Sequence, residues 1–364
     1  MRFNSCRRSF RRSLMAACLC AVGLGLGVQS ARAVTIDMVT VGNPGNANDT
    51  TSYGGVNYSY QIGKYDVTIG QYTDFLNAVA ATDTYSLYNG SMATDLNVAG
   101  IAQSGSSGSY TYSVIAASGS APNGGVSAAN RPITYVSWFD SARFANWMAN
   151  GQPTGAQSST TTENGAYALS GTTTAPAKNV TNPNTSVAPT LFIPNENEWY
   201  KAAYFDPTLN SGAGGYYTYA TQSNADPGNV IGSGANQANY YKGLFSVTQS
   251  AYSTTQNYLT DVGAFSGSGS FYGTFDQSGN VYQWNDLDGT SGSSRGLRGG
   301  TWDSFGASNL SSSFRNASDP SIEGNTIGFR LASPVAVPEP STWVMGLAGI
   351  ACAGWGAYRR RKRA

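Results

Sequence analysis

Two short glycine-centred runs constrain this chain more than any other feature. In the first, Phe275-Asp276-Gln277-Ser278-Gly279-Asn280-Val281-Tyr282-Gln283-Trp284, residues 278–280 accept positive φ at a tight turn, and Val281 to Trp284 then alternates as a half-buried strand. In the second, Leu297-Arg298-Gly299-Gly300-Thr301-Trp302, paired glycines remove side chains where another backbone or a large ring must come close. A third run, Ile327-Gly328-Phe329-Arg330-Leu331, follows. The turn should hand the chain into a sheet, with Trp284 and Trp302 in the core.

Composition fits a loop-rich sheet protein. Only 11% of the 364 residues are charged, and Gly, Ser, Thr, Asn and Tyr dominate, which suggests an irregular extracellular domain with helix in the minority. Basic residues cluster at the two ends: Arg2, Arg7, Arg8, Arg11, Arg12 and Arg32, then Arg359, Arg360, Arg361, Lys362 and Arg363. Between residues 34 and 338, ten lysines and arginines face nineteen aspartates and glutamates, a net charge near −9. Such a body is not a nucleic-acid binder. All four cysteines (Cys6, Cys18, Cys20, Cys352) lie near the termini and there is no histidine. Disulfides, Cys or His metal sites, cysteine nucleophiles and His-based triads are therefore excluded from the body. A domain of this size is stable without disulfides.

The two ends read as sorting signals. Residues 1–33 combine an Arg-rich start, an apolar run from Leu14 to Val28 and the small-x-small site Ala31-Arg32-Ala33, the layout of a signal peptide cut by signal peptidase before Val34. Residues 34–54 read as a linker. Val337-Pro338-Glu339-Pro340 precedes a transmembrane stretch at 343–358 and the basic tail. That stretch is marginal for a permanent span, and the terminal charges would hold it in the inner membrane with the tail cytoplasmic. The layout of 334–364 resembles the PEP-CTERM signal of Gram-negative exosortase substrates. The resemblance implies cleavage near Pro-Glu-Pro and release to the cell surface or extracellular matrix; the alternative is an ordinary C-terminal anchor.

Between these ends, Val56, Tyr58, Tyr60 and Ile62 alternate as a strand, and a helix follows with Ile69, Tyr72, Phe75, Leu76 and Val79 on one face. Ser137 caps a second helix, with Asp140 completing a capping box and Trp138, Ala142, Ala145 and Met148 facing the core. Asn195 and Glu198 cap a third, which should run to Phe205 and stop at Asp206-Pro207. The polar stretches 83–130 and 151–190 read as surface insertions, the latter with a short strand at Ala166–Leu169.

Taken in order, these landmarks resemble the formylglycine-generating enzyme family, or sulfatase-modifying factors, across residues 55–333. The three glycine runs match G-L-x-D-M-x-G-N-V-W-E-W, L-R-G-G-S-W and I-G-F-R. Lys64–Phe75 matches K-Y-E-V-T-x-x-Q-Y-x-x-F, Pro132–Trp138 matches P-V-x-x-V-S-W, and Leu191–Trp199 matches R-L-P-T-E-A-E-W. The resemblance implies an α+β fold, a variant of the C-type-lectin-like fold. It also implies a copper-binding cysteine pair between the second and third runs, but Asp303–Thr326 contains no cysteine. A hydroxyl cannot replace a thiolate there, so copper and formylglycine-generating activity are not expected. The histidines of iron-dependent thiol-oxidising relatives are missing too, and no catalytic residue carries over.

Calcium is implied at two places. Asp276 would give a side-chain oxygen, Gly279 and Val281 carbonyls, and Gln283 stands where the family has Glu; Asn239 and Tyr240, in a stretch resembling N-I-W-Q-G, would belong to a second site. The alternative is that Asp276 merely caps its turn. Arg298, Arg315 and Arg330 are read as internal partners of carboxylates and carbonyls in preference to substrate ligands. Tyr216, Tyr217, Tyr219, Tyr240 and Tyr241 either pack or form an aromatic saccharide platform.

Three functions fit. The first is a surface-sorted, non-catalytic binding or scaffold module for envelope or matrix polysaccharide. The second is a metal-dependent oxidoreductase or modifying enzyme using carboxylate and amide ligands. The third is a displayed variable ligand-binding protein diversified over 303–325.

Overall fold

The computed structural model describes residues 33–119 and 127–334. The expected signal peptide up to Arg32, the Pro-Glu-Pro run, the expected transmembrane stretch 343–358 and the basic tail lie outside the described residues. Among the described residues no helix is long and apolar enough to cross a membrane.

The main elements in chain order are β1 (Met38–Val41), β2 (Tyr60–Gly63), α1 (Ile69–Val79), α2 (Ser91–Thr94), β3 (Ile101–Ser104), β4 (Thr111–Val114), α3 (Trp138–Ala149), α4 (Glu196–Tyr204), β5 (Phe205–Asp206), β6 (Gly215–Tyr216), β7 (Tyr282–Asn285), β8 (Arg295–Arg298), β9 (Asn316–Ser318), β10 (Ile327–Gly328) and β11 (Ala332–Pro334). The arrangement is α+β. The three glycine runs end up side by side in one sheet of order β10-β7-β8-β9. Gln283 faces Arg298 across the antiparallel β7–β8 pair and Gly328 across the parallel β7–β10 pair. A second sheet, β1-β2-β11, joins both ends of the body. The stretch 34–54, expected as a linker, thus supplies an edge strand, because Met38–Val41 finds β2 as a partner.

Each of the three longer helices starts at a reciprocal capping box: Thr68 with Gln71, Ser137 with Asp140, and Asn195 with Glu198. In each box the cap side chain accepts from the third helical N–H and is itself covered in return, so two orphan donors are satisfied at once. α4 ends at Tyr204, one residue short of expectation, as Phe205 turns extended to pair with Tyr216. All twelve residues of α3 are buried. Rings from α1, α3 and the chain after β10 form the core: Phe144 lies 5.3 Å from Phe75, 5.7 Å from Trp147 and 5.5 Å from Phe329.

Three local expectations need correction. β2 begins only at Tyr60, since Val56 and Tyr58 precede the paired register. Ala166–Leu169 forms no strand; Ala166, Tyr167 and Leu169 pack into the core from irregular backbone. Its backbone groups are met by side chains instead, with Asn146 accepting from Tyr167 N–H at 2.7 Å and donating to Tyr167 C=O at 2.9 Å. Nor are 83–130 and 151–190 merely surface. Leu87, Met92, Ile101 and Tyr112 sit in the core, and buried Glu163 pairs with Arg143 of α3 at 2.7 Å. A polar, aperiodic stretch is internalised here because its polar groups find partners.

Several carboxyls are buried. Desolvation pushes Asp140 up to about 7 and Asp286 up to about 6, and raises Asp66 to about 8 against the pull of Arg330. Each of these groups holds in the folded state a proton that the unfolded chain releases near pH 4, so its contribution to stability falls as pH rises from there through the folded value. The body should therefore melt at a higher temperature at pH 5 than at pH 8 in a calorimetric pH series; a flat or rising profile would contradict this.

Candidate functional site

The turn before β7 is a knot of short contacts. Asp276, Gly279 and Asn280 adopt φ of 61°, 88° and 66°. A Cβ on Gly279 would lie 2.2 Å from the Asn239 carbonyl oxygen, so two backbones touch where only hydrogen fits. Asn280 N–H donates to that same oxygen at 2.9 Å, and Gly279 N–H to Gly299 C=O at 2.7 Å. Gly300 is equally forced, since its φ is 74° and a Cβ would meet Leu310 at 2.7 Å.

Gln283 and Arg330 complete the knot. Gln283 Oε1 accepts from Trp199 Nε1 and from Arg330 Nε, both at 2.6 Å, while Gln283 Nε2 donates to the Asp276 carbonyl at 2.8 Å. The guanidinium also donates to Gly63 C=O at 2.9 Å, Asp66 Oδ1 at 2.9 Å and Phe275 C=O at 2.7 Å. Asp276 Oδ2 accepts from Gly263 N–H at 2.7 Å. Burial raises the Asp276 carboxyl to about 6, against that N–H and Arg330. Nearby, Asn239 Nδ2 donates to Tyr258 C=O and Asn280 Oδ1, and Tyr240 C=O accepts from Asn229 and Ser246.

A second feature is open. A cleft of about 380 Å³ is lined by Tyr241, Phe245, Tyr252, Trp302 and Phe305, with Asn97, Asp303 and Asn325 as polar members. Its floor is rigid: Tyr258 stacks on Trp302 at 5.1 Å and 7°, and Phe245 lies 4.4 Å from Tyr258. Its rim is bare, with Phe305 78% and Tyr252 54% exposed. Tyr252 is held by its hydroxyl, which donates to Asn97 Oδ1 at 2.6 Å. Asn325 is held from both sides, its Nδ2 on Asp95 and its carbonyl accepting from Trp302 Nε1.

Comparison with known proteins places the chain. The profile of the sulfatase-modifying factor enzyme 1-like domain matches residues 39–335, and that of the PEP-CTERM protein-sorting motif matches 336–362. The chain belongs to the sulfatase-modifying factor enzyme 1-like family. Among solved structures it is similar to Treponema denticola variable protein 1 (16% identity, 84% of this chain and 97% of that one, TM-score 0.41), to CarF (18%, 83% and 99%, 0.38) and to PvdO from Pseudomonas aeruginosa (16%, 82% and 92%, 0.39). No curated protein matches it by sequence. The PEP-CTERM motif marks it for exosortase-mediated sorting to the cell envelope or surface.

Within this sulfatase-modifying factor domain, the residues expected to hold calcium do not fit that ion. The space beside Asp276 amounts to about 10 Å³, whereas calcium needs six to eight oxygens around it at roughly 2.3–2.6 Å. Gln283 turns a donor, not an acceptor, toward the Asp276 carbonyl, and the Arg330 cation already gathers the nearby oxygens. Val281 lies fully buried at the base of the turn.

Of the five tyrosines considered as a platform, only Tyr241 lines the cleft. Tyr219 and Tyr240 are buried together, and Tyr216 packs on Tyr200 and Phe205. Phe245, Tyr252, Phe305 and Asn97 were not apparent beforehand; isolated aromatics in Ser/Thr-rich loops were the available signal. Arg298 and Arg330 are internal partners, as expected.

Arg330→Gln takes the buried donor from Gln283, Asp66 and the carbonyls of Gly63 and Phe275 and should cost at least about 3 kcal/mol in urea unfolding. Millimolar calcium or EDTA should move the melting temperature by less than about 1 °C; a calcium-dependent rise of several degrees would restore the metal site.

Proposed function

We propose that the exported domain is a non-catalytic binding module whose aromatic cleft holds a saccharide of the envelope or matrix. The observation that carries this is the bare ring of Phe305, with Tyr252, above the stacked Tyr258–Trp302 floor. Sugar rings present C–H faces that pack on aromatic rings and hydroxyl edges that seek fixed polar groups, and Asn97, Asp303 and Asn325 stand among the rings. Asp303, Phe305 and Asn325 come from the segment where the resemblance to formylglycine-generating enzymes would put the cysteine pair. The segment supplies cleft wall in place of thiol chemistry.

The same placement favours a second reading, a displayed ligand-binding protein varied over 303–325. A near-copy of that coding segment beside the gene is its test.

The purified 34–338 body should bind one or more envelope polysaccharides on a glycan array. Phe305→Ala should weaken that binding by about tenfold or more without lowering the melting temperature, since the ring is exposed. Clean negatives across envelope polysaccharides, or oxidation of a thiol peptide by the purified body, would overturn the proposal.

A further inference from the structure

Away from the cleft, one arginine is placed unlike the others. Among the described residues, Arg131, Arg143, Arg295, Arg298 and Arg330 are all at most 5% exposed, and Arg315 alone reaches solvent, its side chain 36% exposed. Its partner is Glu196, the first residue of α4, which is 3% exposed. Arg315 Nε donates to both Glu196 oxygens, at 2.8 and 3.0 Å. Yet Glu196 is already met by Arg298 Nε at 2.8 Å, and Arg298 is anchored by the carbonyls of Ser312 and Phe314. The buried carboxylate therefore has a buried counter-ion without Arg315. Two guanidinium groups share one carboxylate, and the outer one faces solvent.

Arg315 opens on a cavity of about 400 Å³ beside Tyr53, Asn197 and the loop from Leu287 to Ser294. Arg315 is fixed, not floppy: Glu196 takes its Nε, and the Tyr53 ring lies 5.5 Å from its guanidinium carbon. The Tyr53 hydroxyl is within hydrogen-bonding reach of the guanidinium, and among the described residues no carboxylate or carbonyl takes its terminal nitrogens. Arg298 already supplies Glu196 with a buried counter-ion, so the second guanidinium is not needed to neutralise that carboxylate. It leaves a pre-oriented fork of N–H donors, the geometry that receives a planar carboxylate.

We infer that this cavity is a site for a carboxylate-bearing sugar, a uronate unit, with Arg315 as the carboxylate receptor. The surrounding chemistry narrows the ligand. Thr290, Ser291 and Ser294 line the cavity, hydroxyl groups suited to sugar hydroxyls. Asp288 also lines it; its Oδ1 is committed to Thr290 at 3.0 and 2.7 Å. A second anion at the rim disfavours a dianionic phosphate and tolerates a monoanion whose own hydroxyls can donate to it. The two other charged pairs nearby, Glu196 with Arg298 and Asp286 with Arg295, are buried and cancel internally. With a body near −9, long-range attraction cannot draw in an acidic polymer, so recognition has to be local. The inference does not rest on the aromatic cleft.

The test is calorimetric titration of the detergent-solubilised full chain with hexagalacturonate and with its carboxyl-reduced, neutral counterpart. Hexagalacturonate should bind; Arg315→Gln should weaken it at least tenfold and Arg315→Lys less; the neutral hexamer should bind at least tenfold more weakly. Phe305→Ala should leave this binding unchanged, which separates it from the cleft. Absence of binding, equal binding by Arg315→Gln, equal binding of the neutral hexamer, or loss on Phe305→Ala alone would each overturn the inference. Arg298 keeps Glu196 paired in both variants, so an unchanged melting temperature checks that the fold is intact.

Discussion

Arg330 carries a positive charge into a place that water does not reach, and the architecture closes around it. An unpaired charge there would be prohibitive. Its four hydrogen bonds reach Gly63 at the end of β2, Asp66 before α1, Phe275 before the tight turn and Gln283 in β7. Segments more than two hundred residues apart in sequence must therefore all be in place before the charge is satisfied. Asp66 Oδ2 and the strained turn at 276–280 are tolerated because the surrounding contacts over-determine them.

The turn also shows how one atom's chemistry changes a site while its outline survives. Gln283 occupies the position of a family carboxylate, and its amide nitrogen donates where a carboxylate oxygen could only accept. The Asp276 and Asn239 carbonyls beside it accept from N–H groups of Gln283 and Asn280. The same substitution logic runs through the molecule: Asn146, Asn239 and Asn257 are all buried and all donate to backbone carbonyls of irregular segments. Asparagine amides stand in for the ladders that a regular sheet would provide.

This explains what was legible in the sequence and what was not. Capping boxes at Ser137 and Asn195 involve neighbours three residues apart, and the glycine runs declare their own backbone needs, so helices and central strands could be read locally. The family itself was legible because the order of those runs is preserved. The burial of 83–130 and 151–190 was hidden because it depends on distant amide partners, not on hydrophobic periodicity. The cleft was hidden for a similar reason. Asn97, Phe245, Tyr252, Phe305 and Asn325 are scattered over more than two hundred residues and meet only in the fold. Arg315 looked like its neighbours Arg298 and Arg330 until exposure separated them.

The join between β2 and β11 has a mechanical side. The described body ends at Pro334, immediately after three residues paired with β2, and Ala332 exchanges two backbone hydrogen bonds with Phe192. Phe329, Arg330 and Leu331 just before it are wholly buried. Tension applied through the sorting segment is thus borne first by a short ladder and then by the most deeply seated residues of the domain. A pull there acts on an edge strand, and the bridge to Phe192 with the buried run behind it is what resists peeling.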